Sequence, residues 1–301
     1  MDQIQSMRVF ARVVEAGTFT KAAASLDLPK GTVTKLVQHL EGRLKVKLLN
    51  RTTRRVTVTP DGAAYYERTA RLLNDLDDIE ASMTNAQANP SGRLRIDVGA
   101  SVARLIVIPA LPSFYERYPD IQLDLGVGDR PVNLISDNVD CVIRGGDLLD
   151  QSLVARRIAN LSLVTVASPE YLKRHGEPAH PNELEDGHIM VNFFSAVTGR
   201  SYPDIFVKDG ETIELVGRHK VSVNDSNAHM AAVLAGLGVS QTAMFQAAPY
   251  LASGELVKVL PDWSRPPLPI HVVYPPNRHL SAKVRAFVDW AADLFAKFPH
   301  L

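Results

Sequence analysis

Between residues 29 and 44 the chain reads PKGTVTKLVQHLEGRL. Its apolar residues Val33, Val37, Leu40 and Leu44 step by four, three and four, one face of a helix turning every 3.6 residues. Around the start of that helix, away from the apolar face, fall Lys30, Gly31, Thr32, Thr34, Lys35 and Gln38. These are small, cationic, hydroxyl or amide groups, the kinds that approach phosphate oxygens and base edges. A second cationic cluster follows. Arg51, Arg54 and Arg55 lie between two short β-prone runs, residues 46–49 and 56–58, which predicts a hairpin with a cationic tip. Such a tip can reach phosphates or a minor groove; its bland alternative is a solvated loop. Taken alone, the helix also reads as an ordinary amphipathic surface helix, so its neighbours must decide.

The first helix is expected over residues 2–16, with Ile4, Met7, Ala11 and Val14 on one face, Phe10 and Val13 widening it, and Gly17 ending it. Next, Thr18 or Thr20 can cap a short helix in which Ala22, Ala23 and Ala24 permit close packing. Leu26 and Leu28 lead into Pro29, whose missing N–H costs nothing in a first helical turn. Two helices and a brief turn before a basic third helix is how a helix-turn-helix offers its second element to the major groove of DNA. Thr59, Pro60 and Asp61 then combine a cap, a first-turn proline and an acid favoured by the helix dipole. From there Tyr65, Thr69, Leu72, Leu76, Ile79, Met83 and Ala86 alternate steps of four and three, a coiled-coil seam. A helix running to residue 88 would be about 43 Å long at about 1.5 Å per residue. The partner expected on its stripe is a second copy of the same helix, setting two reading helices side by side.

Charge supports a split of labour. The 301 residues carry 33 Lys or Arg and 33 Asp or Glu, yet residues 1–60 hold 11 basic against 4 acidic groups, +7, leaving −7 (22 basic, 29 acidic) for the rest. A basic head on an acidic body fits a polyanion-binding module joined to a domain with another task. The first residues lack the cationic start and apolar run of a secretory signal, and no stretch approaches the length of a membrane span, so a cytoplasmic protein is expected. The single cysteine, Cys141, excludes an intramolecular disulfide and any multi-thiolate metal site; it reads as a small buried hydrophobe. His175, His180 and His188 read as surface-loop residues rather than a metal site. No Gly-x-Ser-x-Gly elbow, Gly-x-x-x-x-Gly-Lys loop or His-Glu-x-x-His occurs, and GVGDRP fails the dinucleotide fingerprint at its third glycine. Neither enzyme activity nor a cofactor or metal is expected.

Asn89, Pro90, Ser91 and Gly92 mark the clearest boundary. The chain divides into a winged helix-turn-helix (residues 1–59), a dimerising linker helix (60–90) and a regulatory domain (91–301). Beyond the boundary the rhythm is β-α-β: strands over 93–99, 121–127 and 139–144, a helix over 101–118 containing Pro109 and Pro112, and a short helix at 130–136. Residues 153–167 leave this sheet for a second; 168–176, a capped helix, and 226–237 follow as helices; 266–274 cross back before a final helix over 281–298. This gives two α/β lobes, the first from about 91–162 and 268–301, the second from about 163–267, with a ligand cleft between them. A solute-binding protein or an enzyme built on the two-lobed domain is the alternative reading.

MRVFARVVEAGTFTKAAASLDL, TVTKLVQHLEGRLKVKLLNRTTRRVTVTPDG, RLRIDVGASVARLIVIPALPSFYERYPDIQLDL and NVDCVIRGG together resemble the LysR-type transcriptional regulators, in the C-terminal half most closely the branch that includes the CrgA regulator. One departure is that Pro29 stands one place before the Ser-Pro opening many members have, with Lys30 and Gly31 after it. The resemblance implies a winged helix-turn-helix, a dimerising linker helix and a periplasmic-binding-protein-like domain, assembled as a homodimer or homotetramer on double-stranded promoter DNA. It also implies a small-molecule effector in the cleft, met by Ser101, Val102, Asp129, Arg144, Asp225 and Ser226. Ser101 and Ser226 would stand at helix starts, which favour a carboxylate, and Arg144 could pair with it. Alternatively Arg144 is bound to Asp147 or Asp129 and the serines are only caps.

Overall fold

The structure is a computed structural model that describes residues 2–51, 56–83, 90–134, 136–146, 152–276, 280–298 and 301, with residues 51, 71, 74, 75, 77, 78 and 81–83 described by their backbone alone. Contacts divide the chain into two units, Met1–Ala88 and Asn89–Leu301.

In the first unit, α1 (Gln3–Ala16) starts where the Asp2 carboxylate accepts from the Ile4 N–H at 2.9 Å and ends at Gly17, whose φ of 68° is left-handed. Its buried face carries Val9, Phe10, Ala11 and Val13, whereas Ile4 is 43% exposed. The face is rotated from the expected one because α1 packs against three neighbours, the helices α2, α3 and α4 below, and its bulkiest side chains must serve all of them. Thr18 caps α2 (Phe19–Leu26), and Ala22 and Ala23 are buried. Pro29 stands just before α3 (Lys30–Leu44) rather than in its first turn. Val33, Leu36, Val37 and Leu40 are buried, but Leu44 is exposed because Lys45 turns left-handed and ends the helix. The hairpin pairs β1 (Leu49–Arg51) with β2 (Val56–Val58), Leu49 opposite Val58. Its first strand begins later than the apolar run suggests, because Glu41 Oε1 accepts the N–H groups of Leu48 and Leu49 at 3.0 and 3.1 Å where the chain turns back from α3.

Thr59 starts α4 (Pro60–Met83) as expected, its hydroxyl oxygen accepting from the Gly62 N–H at 2.9 Å. Gly62 is required: a Cβ there would overlap the Leu48 carbonyl oxygen. The seven-position stripe does not stay on one surface. Tyr65 packs edge-on against Phe10 at 5.7 Å and Thr69 is buried, so the first turns of the stripe close the unit's own core. Leu72 and Ile79 are 60% and 58% exposed, and Leu76 is half-buried. The Met83 side chain and Ala86 lie outside the described residues.

The second unit opens with β3 (Gly92–Val98) and a helical run made of α5 (Ala100–Val102), a π-turn (Ala103–Val107) and α6 (Ile108–Arg117). Pro109 has no N–H to return to the preceding turn, and the turn before it widens so that the Ile108 N–H reaches the Ala103 carbonyl. There follow β4 (Ile121–Val127), β5 (Cys141–Gly145), β6 (Val154–Leu161), β7 (Leu163–Ala167), α7 (Pro169–His175), α8 (Glu183–Asp186), β8 (Met190–Phe193), β9 (Asp204–Lys208), β10 (Glu211–Leu215), β11 (His219–Val223), α9 (Ser226–Leu234), β12 (Ser240–Ala243), α10 (Met244–Ser253), β13 (Val257–Lys258), β14 (Leu268–Tyr274) and α11 (Ala282–Phe295). Among the described residues, the first lobe's sheet runs β4-β3-β5-β14-β6. Its first three strands are parallel and β14 is antiparallel to both neighbours, so the returning segment makes the sheet mixed. No helix forms at residues 130–134 or 136. There the Asp137 carboxylate accepts the Asn133 N–H and the Asn133 side chain accepts that of Ser136, each at 2.9 Å, and these side chains hold a turn instead.

Leu94, Ile96 and Val98 alternate into the first lobe's core, where Phe114 meets Phe287 and Trp290 of α11 at 5.8 and 5.2 Å. In the second lobe β7 pairs antiparallel with β12 and β13, and β8 pairs parallel with β11. Ser162 lies where the chain passes from β6 to β7; its N–H donates to the Leu301 carbonyl and its carbonyl accepts from Met244 at 2.8 Å.

Asp204 at the start of β9 pairs with Arg265 at 3.3 Å, near the return to the first lobe. Burial pushes the Asp204 carboxyl up to about 7, Arg265 pulling the other way. Its folded pKa therefore exceeds the unfolded value of about 3.9, and the folded chain binds the extra proton between those values. Stability from this group is full below the lower value and lost as pH rises through the higher one. Both tryptophans, Trp263 and Trp290, belong to this unit, so their fluorescence reports its unfolding. Between pH 5 and 8 the urea midpoint of the natural chain should fall relative to that of Asp204→Asn; parallel midpoints would remove Asp204 from the pH dependence.

Candidate DNA-reading face and effector cleft

Helix α3 presents its two sides unequally. While Val33, Leu36, Val37 and Leu40 are buried, Lys30, Gly31, Lys35 and Gln38 are exposed and Thr32 and Thr34 half-buried. The Thr34 hydroxyl donates back to the Lys30 carbonyl at 3.0 Å, leaving its oxygen outward only as an acceptor. A Cβ at Gly31 would meet nothing within 4 Å, so no internal packing calls for glycine there. Caps set this helix apart within its unit: Asp2, Thr18 and Thr59 cap α1, α2 and α4, but Pro29 gives α3 no side-chain cap. An uncapped, basic helix start suits a phosphate. Glu41, not singled out by sequence pattern, sits on the same helix and fixes the hairpin through its two backbone bonds. Of the hairpin arginines, Arg51 is described by its backbone, and Arg54 and Arg55 lie outside the described residues.

In the second unit the structure brings together Ser101, Asp129 and Ser226. Asp129, in the loop after β4, accepts the Ala100 N–H on Oδ1 at 2.9 Å and the Ser226 N–H on Oδ2 at 2.5 Å. The Ser101 N–H donates to Ser226 Oγ at 3.0 Å, and Gln246 Nε2 donates to the Ser226 carbonyl at 2.7 Å. One carboxylate thus spans two helix starts, one from each lobe. Val102 follows, half-buried. Asp225 caps its own helix, accepting from Asn227 and Ala228 at 3.0 and 2.8 Å.

Arg144 departs from the pairing with Asp129 that the sequence left open to it. It is ion-paired with Asp97, not Asp129, while Asp147 lies outside the described residues. The guanidinium also donates to the Arg130 carbonyl at 3.3 Å, and its buried Nε has no hydrogen-bond partner among the described residues. Asp97 is the cleft residue that sequence pattern missed. It stands on the β3 face opposite Leu94, Ile96 and Val98, so alternation marks it as exposed, yet it is buried. Gly126 beside it on β4 is the available signal, since a Cβ there would overlap the Asp97 carboxylate. Burial raises the Asp97 pKa, Arg144 lowers it, and Asp137 and Asp129 add to the rise.

Of the three histidines only His188 departs from the surface reading, whereas His175 is exposed at the end of α7 and His180 is half-buried in a loop. His188 is buried with its Nδ1 3.3 Å from the Tyr171 hydroxyl, His175 stacks on Tyr171 at 4.6 Å, and His180 meets Trp263 edge-on at 5.0 Å. Burial first, and then His175, lowers the His188 pKa against the pull of Glu183. Cys141 is fully buried, and burial holds its thiol well above the usual range.

Residues 4–63 match the bacterial regulatory helix-turn-helix protein, lysR family, and residues 87–296 match the LysR substrate binding domain. The chain belongs to the LysR-type transcriptional regulators. It is 40% identical over 301 residues to an HTH-type transcriptional repressor of Pseudomonas aeruginosa, covering all of this chain and 95% of that one. The full-length Vibrio cholerae virulence activator AphB superposes with a TM-score of 0.60 at 30% identity, over 97% of this chain and 99% of AphB. CrgA of Neisseria meningitidis gives 0.60 at 29% identity over 97% and 98%. As a LysR-type regulator the protein is a DNA-binding transcription factor with an effector-binding C-terminal domain, not an enzyme, and its resemblance includes the CrgA/AphB-like branch.

Gly31→Ala separates folding from recognition in this regulator. Thermal unfolding should be unchanged or improved by up to about 1 kcal/mol, while affinity for the operator falls about tenfold, about 1.4 kcal/mol, if the helix start lies against DNA. Unchanged affinity in a filter-binding titration would take Gly31 out of the interface.

Proposed function

We propose that this regulator works in the cytoplasm as a homodimer, or a homotetramer of paired dimers, on double-stranded promoter DNA, and that a small molecule in the cleft of its C-terminal domain controls it. The division of α3 into a buried apolar side and an exposed side bearing Lys30, Gly31, Lys35 and Gln38 carries the DNA reading. Thr32 and Thr34 flank them, and Arg51, Arg54 and Arg55 supply the hairpin's charge. Among the described residues no helix is long and apolar enough to cross a membrane. Dimerisation is assigned to the exposed apolar positions of α4, Leu72 and Ile79, with Leu76 between them and Met83 beyond; Tyr65 contributes by anchoring α4 to α1.

The effector reading is supported by Ser101, Asp129 and Ser226 meeting at the start of two helices in opposite lobes, and it takes Val102, Arg144 and Asp225 as the further members of the site. A small carboxylate suits helix starts. The π-turn directly after Ser101 and Val102 supports the same location, since such turns recur at functional sites.

Binding of the intact protein to its own upstream DNA, measured across salt concentrations, tests the whole reading; absence of a salt-dependent shift would defeat it. Within that assay Lys35→Ala should flatten the slope of log K against log salt by about 0.9 if Lys35 meets one phosphate, and should alter sequence preference instead if it reads a base. Leu72→Glu should dissociate the dimer in sedimentation while changing monomer stability by no more than about 0.5 kcal/mol, as expected of an exposed site. A variant that still sediments as a dimer would discard the α4 seam.

A further inference from the structure

The polar groups that meet across the cleft answer one another. Asp129 belongs to the first lobe, and its two carboxylate oxygens are divided between lobes: Oδ1 takes the Ala100 N–H of the first, Oδ2 the Ser226 N–H of the second. A second bond crosses beside it, from the Ser101 N–H to Ser226 Oγ. At the rim Arg104 of the first lobe reaches Asn227 Oδ1 of the second at 3.5 Å. The amides at the start of α9 are therefore fully claimed, Ser226 by Asp129 and the next two by Asp225. Nothing in local folding demands that Asp129 reach across: Asp225 already caps α9, and Asp129 sits in a loop, not at a helix start of its own. Gly128 before it has open space where a Cβ would stand, so the loop is not wedged into this position by packing.

We infer that Asp129 is a built-in latch on the effector cleft, a carboxylate that holds the two lobes closed by bonding one amide from each, so that an effector which alters the closure must first release it. The inference rests on the effector reading given above and adds how that site is regulated. A carboxylate suits the role because each oxygen accepts independently and the negative charge strengthens both bonds.

Hydrogen exchange on the full-length chain, read in the peptides spanning Ala100 and Ser226, tests the latch. Asp129→Ala should lose protection by at least about tenfold in both peptides, while those covering β3 and α11 keep theirs. Sodium formate, supplying a free carboxylate to the space vacated by the side chain, should return protection to both peptides in Asp129→Ala and do nothing to the natural chain, with sodium chloride at equal ionic strength as the control. Unchanged protection in Asp129→Ala would overturn the latch. So would a loss confined to the Ala100 peptide, which would make Asp129 a cap within its own lobe. If Asp129→Ala also loosens β3, Asp129→Asn carries the test, since it keeps one acceptor oxygen and should release one peptide; protection of both would again overturn the latch. The readout uses neither DNA nor effector, so its failure leaves the regulator reading intact, and failure of DNA binding leaves the latch standing.

Discussion

Every helix begins with amide N–H groups that have no partner within the helix, and how this chain answers that constraint organises both of its units. Asp2, Thr18 and Thr59 answer it locally in the first unit, and Ser168 and Asp225 do so in the second. Side-chain caps are also missing at α8, α10 and α11, but at the two places assigned to function an open or shared helix start stands beside groups that suit a ligand. Helix α3 has no side-chain cap, and beside its open start stand Lys30, Gly31 and Lys35. At the cleft the Ser226 amide is answered from the opposite lobe by Asp129. One helix start is thus open beside cationic groups that suit a polyanion, and another is tied to the relation between lobes.

The reading head also depends on close approach. Gly62 lets α4 run directly beneath the Leu48 carbonyl, while Thr59 and Glu41 bind the intervening chain from two sides. Glu41 ties the hairpin to α3, and Tyr66 ties α4 to α1 through Glu15 at 3.0 Å. The Glu41 bonds fix the base of the hairpin to α3, and recognition of a fixed groove geometry requires such ties.

Much of this was legible in the sequence because local chemistry decided it. Gly17, Thr18 and Thr59 have side chains or backbone freedom that only one role exploits, and helix positions followed. What failed was set by distant neighbours. The core face of α1 turned toward three helices at once, and the heptad stripe of α4 lost Tyr65 and Thr69 to Phe10 and the unit's own core. Residues 130–136 looked helical by spacing, but Asn133 and Asp137 offered the backbone a competing set of bonds. In the cleft, the family resemblance brought Ser101, Asp129 and Ser226 to notice, whereas the pairing of Arg144 with Asp97 depends on two strands meeting in the sheet, β3 and β5, and on the gap left by Gly126. Strand alternation has no means of marking a buried acid whose partner lies 47 residues away.

That pairing bears on how the cleft can respond. Because Asp97 holds Arg144 within the first lobe, the arginine is not the group that changes partners when the lobes move; the bonds that cross the cleft at its helix starts are those of Ser226 with Asp129 and with Ser101, with Arg104 and Asn227 meeting at the rim. One is charge-assisted, at about 1.5–3 kcal/mol, and one neutral, at about 0.5–1.5 kcal/mol. Together they bias closure by roughly 2–4 kcal/mol, a closed-to-open ratio of roughly 30 to 1,000. An effector shifts such an equilibrium only by the difference between its affinities for the two forms, whatever its total affinity. A ligand that merely filled the closed cleft beside Asp129 would find the equilibrium already on its side and change little. To act as a signal, it must rearrange the bonds at Ser226, and the helix start that receives Asp129 is therefore where chemical recognition and the change of state coincide.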